Sequence, residues 1–147
     1  MPFQPSTEQV VVAWIKSIAG VPANKVATTL PANTSAWEAD GFVQVTTVGG
    51  TPASHTPVRN PVVQVDCWAC NVNTQSPPWG KASSLANLIL EATYTDGVPQ
   101  HVELPEAFYS ARLLSAYPMT EPRRITGDIA QFARVSFDLS VFWVVQS

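Results

Sequence analysis

The chain has 147 residues, 46% of them hydrophobic and 13% charged, a length and balance that suit one folded domain with a core of its own. A net charge of −3 argues against a protein whose main work is gripping nucleic acid through phosphates. No apolar run approaches the roughly 20 residues of a membrane span, and the opening Met1-Pro2-Phe3-Gln4-Pro5 lacks the basic and apolar regions of a signal peptide, so the expected place of synthesis and assembly is the cytoplasm.

In chain order, Ser6 stands three residues before Gln9, and Val10, Val11, Trp14, Ile15 and Ile18 follow at helical spacing, which predicts a capped amphipathic helix ending near Gly20-Val21-Pro22. From Ala23 to Gly41 no period is sustained, and an ordered loop with one short element is expected, pinned to the body by Trp37. Phe42 to Val48 is rich in Val and Thr and reads as a strand stopping at Gly49-Gly50. Thr51 to Asn60 is polar, carries Pro52 and Pro57, and reads as a protruding loop. Pro61 to Cys70 alternates, with Val63, Val65, Cys67 and Ala69 on one face and Gln64, Asp66 and Trp68 on the other, as an inner strand does.

A second helix is expected from Lys81 to about Thr93, with Ala82, Leu85, Ala86 and Ile89 as its apolar stripe and Asp96-Gly97 as its stop. By periodicity alone Ala111 to Pro118 fits strand or helix, and it reads as a strand because prolines bound it closely and another strand follows. The clearest pattern comes last: Ala133, Val135, Phe137, Leu139, Val141, Trp143 and Val145 alternate with polar residues in a long antiparallel strand. The order helix, strand, strand, helix, strand, strand predicts an α+β fold, a mostly antiparallel sheet of about four to five strands with both helices on its apolar face.

Few residues invite chemistry. Cys67 and Cys70 have the spacing of a zinc or dithiol pair. They sit on a strand, however, where an offset of three sends them to opposite faces, and redox pairs need a helix N-terminus. His55 in the first loop and His101 after the second helix have no nucleophile or ligand partner in sequence, and Glu38, Asp40, Glu103 and Glu106 are scattered through loops. No cofactor or metal is expected, and no catalysis. One different reading places Trp68, Trp79 and His55 around a ligand-binding cleft. The residues better suited to an interface are Arg59 and His55 in the first long loop, the adjacent Arg123 and Arg124 in the loop before the last strand, and Arg134 with Asp138 on one face of that strand, as an ion pair or in subunit contact. Subunit contacts are expected at the edge strands and in two loops, Thr51 to Arg59 and Thr120 to Ile129.

The opening amphipathic helix, Phe42-Val43-Gln44-Val45 running to Gly49-Gly50, Pro61-Val62-Val63-Gln64-Val65-Asp66-Cys67-Trp68-Ala69, the alanine-containing helix after it, and Arg134-Val135-Ser136-Phe137-Asp138-Leu139 together resemble the tail-terminator proteins of long-tailed, non-contractile phages, including those of actinobacterial hosts. The resemblance covers most of the chain, and its motifs are short and mostly structural. It implies a virion protein that forms a six-membered ring of its own copies on the head-facing end of the tail. Such a ring stops polymerisation of the major tail tube protein, docks the head-tail connector or stopper, and lets the viral DNA pass through its lumen unread. The Cys67 and Cys70 pair is a departure from that family. Another ring of the same neck region, a head-tail stopper or a tail-completion protein, is the neighbouring alternative.

Overall fold

A computed structural model describes residues 6–50, 58–71, 78–94, 100–104, 109–125 and 132–146, with the backbone alone at 100–104, 109 and 146. Helix α1 (Thr7–Lys16) starts where a reciprocal cap forms: the Gln9 N–H donates to Ser6 Oγ at 3.2 Å and the Ser6 N–H donates to Gln9 Oε1 at 2.9 Å. Its buried face is Val10, Val11, Trp14 and Ile15. The chain then makes two 3-10 turns, Ala23–Lys25 and Thr34–Ala36, around a two-residue strand β1 (Val26–Ala27). That segment holds more local structure than its sequence announces.

The remaining elements are β2 (Phe42–Gly50), β3 (Pro61–Cys70), α2 (Trp79–Tyr94), β4 (Gln100–Leu104), β5 (Tyr109–Pro118), β6 (Arg123–Ile125) and β7 (Phe132–Gln146). Among the described residues the sheet has seven strands in the order β1-β2-β3-β7-β5-β4, with β6 on β7 as well. Among these strands β1 alone pairs in parallel; the other pairings are antiparallel. The α+β architecture, the inner position of β3 and the long closing strand are as the alternation predicts. The four to five expected strands become seven because β1, β4 and β6 are 2, 5 and 3 residues long. Runs this short leave too few residues for a period to show. Strand β2 ends at Gly50, as expected, with Gly49 and Gly50 themselves still paired with Val62 and Pro61. The predicted helix stop Asp96-Gly97 lies outside the described residues.

Strand β7 organises the sheet. One of its edges carries β3 from Phe132 to Ser140, and the other carries β6 at Arg134–Ser136 and then β5 from Leu139 to Gln146. Both helices lie on the same face. Val63, Val65, Cys67 and Ala69 of β3 and Val135, Phe137, Leu139 and Val141 of β7 meet Leu85, Ala86 and Ile89 of α2 and Trp14 and Ile15 of α1 in one core. Helix α2 packs on β3, β7 and β5, whereas α1 packs chiefly on strands from the two ends of the order, β1 and β2 on one side and β4 and β5 on the other. In a flat sheet β2 and β4 would stand four spacings, roughly 19 Å, apart, about twice a helix's width. The sheet must therefore bend around α1.

The opposite face is not left entirely to solvent. Trp37, Phe42, Trp68 and Cys70 form a second buried cluster, with Leu30, Ala27 and Phe132 packed against it. Trp37 is its centre: the ring stacks on Phe132 at 5.8 Å, meets Phe42 at 6.3 Å, and donates its Nε1–H to Pro31 O at 3.3 Å. The loop is thus anchored by Trp37 as its sequence suggests, on the face away from the helices.

Candidate assembly surfaces

Each described arginine of the interface set except Arg123 lies against a tryptophan. The Arg134 guanidinium lies 4.8 Å from the Trp68 ring, that of Arg124 5.0 Å from Trp79, and that of Arg59 5.4 Å from Trp143. Stacking of this kind holds a planar guanidinium in one orientation against an aromatic face. Arg59 is also held by its backbone: its N–H donates to Trp143 O at 2.8 Å and its O accepts from Trp143 N–H at 2.9 Å. His55 lies outside the described residues.

Arg123 and Arg124 are not in a loop. They belong to β6, opposite Ser136 and Val135 of β7, and both are exposed. A free stretch of β7 edge ahead of β5 recruits them, a long-range effect absent from the local sequence. Arg134 and Asp138 pair with Trp68 and Gln64 of β3 and share the outward face, as expected. Asp138 also holds the chain entering β6: its N–H donates to Thr120 Oγ1 at 2.9 Å, and its O accepts from Met119 N–H at 2.8 Å.

Glu103 lies on β4, not in a loop, and so does His101. Glu106 falls outside the described residues. Trp68 belongs to the outer cluster and Trp79 packs against the helix-side core, so the two do not line a common cleft. Three cavities are shallow. The first, of about 160 Å³, is lined by Thr7, Thr47, Gly49, Gly50, Arg59 and others; the second, of about 360 Å³, lies between α1 and β1; the third, of about 180 Å³, is lined by Leu90, Tyr94, Met119, Glu121 and neighbouring residues. None gathers a nucleophile, a base and an orienting group. Among the described residues no group of three or more His, Cys, Asp or Glu side chains converges. Among the described residues no helix is long and apolar enough to cross a membrane.

Cys67 and Cys70 are both buried, unlinked and on opposite faces, Cys67 in the helix-side core and Cys70 in the Trp37 cluster. Burial pushes both thiols above their ordinary value of 9.0, with the Asp66 charge adding to the effect at Cys67 and the Glu38 charge at Cys70. A thiol that ionises less readily when folded leaves the unfolded chain with fewer bound protons at high pH, so its contribution is complete below pH 9 and fades as pH rises. Above pH 9 Cys67 should therefore cost stability progressively as pH rises. Urea unfolding at pH 7 and pH 10 should show a steeper loss for the native chain than for Cys67→Ala, and parallel losses would rule this origin out.

Neither a family model nor a curated protein matches the chain. Among solved structures, a chain of the virion of a native gene transfer agent particle shares the fold: the alignment covers 96% of each chain with a TM-score of 0.61 at 11% identity.

Proposed function

We propose that this protein is a structural component of a phage-like virion and, within that class, the tail terminator, a six-membered ring that caps the head-proximal end of the tail tube. The observation that carries the reading is end-to-end likeness to a chain of a gene transfer agent virion, over 96% of both chains. The order of segments in the sequence supplies the finer assignment. Surface chemistry agrees with assembly: guanidinium groups braced on tryptophans at the surface are the residue types that interfaces concentrate. The ring's partners are then its own copies, the tail tube protein and the head-tail connector, with DNA passing through the lumen and no cofactor involved. The reading as a ligand-binding domain loses its support, since Trp68 and Trp79 lie in different clusters.

Light scattering of the purified protein, alone and after mixing with its own tail tube protein, tests this. A hexamer, free or formed on the tube, is expected, and electron microscopy should show it as a ring. A ring that binds the portal side and ignores the tube would make the protein a stopper instead, and a monomer indifferent to both would overturn the assignment.

The exposed basic pair on β6 offers a finer test. Arg123→Glu with Arg124→Glu should weaken ring formation or tube docking, while the loss of the Arg124–Trp79 stack costs only about 0.5–1 kcal/mol of stability. Normal assembly of the normally folded double variant would remove these arginines from the interface.

A further inference from the structure

Among the described residues, the middle of the sheet has two edges with no paired strand, at one level. Strand β1 covers β2 only at Val43 and Gln44, and β4 covers β5 only from Tyr109 to Leu113. Among the described residues no strand pairs with the outer edge of β2 from Val45 to Gly50, or with that of β5 from Leu114 to Pro118. Register places these two stretches in the same transverse rows. Thr47 leads through Val63 and Leu139 to Pro118, and Gly49 through Val62 and Ser140 to Tyr117. They are opposite flanks of one four-stranded segment, three strand spacings or roughly 14 Å apart.

The large exposed apolar residues among those described follow the same division. Val48, 51% exposed, stands on the β2 flank, between those two rows. Tyr117 and Met119, 49% and 55% exposed, stand on the β5 flank, and Tyr94, 74% exposed, joins Met119 in lining the cavity of about 180 Å³. One flank offers a knob and the other a hollow. Their charges are opposite as well: Arg59 lines the cavity beside Thr47, Gly49 and Gly50, and Glu121 lines the hollow beside Met119.

We propose that the occupant of the β5 flank is a second copy of this chain, whose β2 edge adds to β5 while its Val48 enters the Tyr94–Met119 hollow and its Arg59 faces Glu121. Each neighbour along β2-β3-β7-β5 is antiparallel, so β2 and β5 run in opposite directions. Copies placed side by side by rotation about an axis along the strands therefore continue the sheet with an antiparallel pair. The pairing joins different surfaces of the two copies, and contacts of that kind close into rings when the rotation allows. It also removes two exposed edges that would otherwise invite aggregation. This inference rests on the ring reading and names its interface.

The test is cross-linking between two exposed positions under oxidising conditions, the chain's own Cys67 and Cys70 being buried. Val48→Cys protein mixed with Met119→Cys protein should form a disulfide-linked dimer, which neither forms alone. The double variant Val48→Cys/Met119→Cys should give a ladder of linked species ending at the ring. In unlinked protein, Arg59→Glu should weaken assembly about fivefold, and adding Glu121→Arg should restore it. Rings of normal mass without cross-links would overturn this interface and leave the ring reading standing. Linkage within either single variant would point to a two-fold contact and overturn it too. Protein that stays monomeric, alone and with the tube, would overturn both.

Discussion

Replacing Trp37 with alanine is expected to lower the unfolding free energy by about 3–5 kcal/mol, a large share of the roughly 5–15 kcal/mol of a typical domain. The indole is almost fully buried in the outer cluster. It stacks on Phe132 at the start of β7, meets Phe42 at the start of β2, and ties Pro31 of its own loop by a hydrogen bond. Truncation leaves a void where the loop and the adjoining start of β2 meet the distant start of β7, and the surrounding backbone is held by the sheet, so the site cannot collapse to fill it. Thermal unfolding should shift down by about 10 °C for a chain of this size. A loss below about 1 kcal/mol would mean that the loop over the outer face is held by something other than this ring stack.

Gly41→Ala should cost about 2–4 kcal/mol for a different reason. Gly41 has φ +81°, where side chains other than hydrogen are disfavoured, and an added Cβ would sit 2.8 Å from Leu85 Cδ1 and 2.9 Å from Trp68 O. Leu85 could turn aside, but the carbonyl belongs to the β3 backbone and cannot. The position is pinned further by its own N–H, which donates to Trp37 O at 2.8 Å, and by Lys81 Nζ, which donates to the carbonyls of Glu38 and Ala39. This is where the loop, β2, β3 and the start of α2 close on one another. Gly80→Ala is the control: an added Cβ there meets nothing within 4 Å, and in a helix the change should be neutral or stabilising by up to about 1 kcal/mol. Urea unfolding of the two variants side by side separates local crowding from any general intolerance of alanine. Equal stabilities would refute the steric account.

Elements long enough to show a period were legible in the residues. The Ser6 and Gln9 cap, the stripe of Ala82, Leu85, Ala86 and Ile89, and the alternations of 61–70 and 133–145 each encode their own geometry, because a face can be counted only when it repeats. The opposite facing of Cys67 and Cys70 followed from the same counting. The candidate surface was legible only as residue types. Arg59, Arg123, Arg124, Arg134 and Asp138 could be picked out as charges near loops and edges, but three of those arginines stack on tryptophans 45 to 84 positions away in sequence, which no local pattern signals. Tyr94, Tyr117 and Met119 drew no notice, because each is an isolated apolar residue whose exposure depends on where the sheet and α2 end.

The amino-acid order alone thus decided the two helices, the strands at 61–70 and 133–145 with their apolar faces, and the α+β class, since each is a matter of residues within one turn or one pleat of each other; the strands at 42–48 and 111–118 were read from Val and Thr content and from flanking prolines, without a face. Folding decided the rest: the three short strands, the bend around α1, the second cluster behind the sheet and the alignment of Val48 with Tyr117 and Met119 across β3 and β7. These depend on strand register and on β7 offering free edge to whatever segment reaches it. Register is a sum over contacts distant in sequence, and no short stretch of chain contains it.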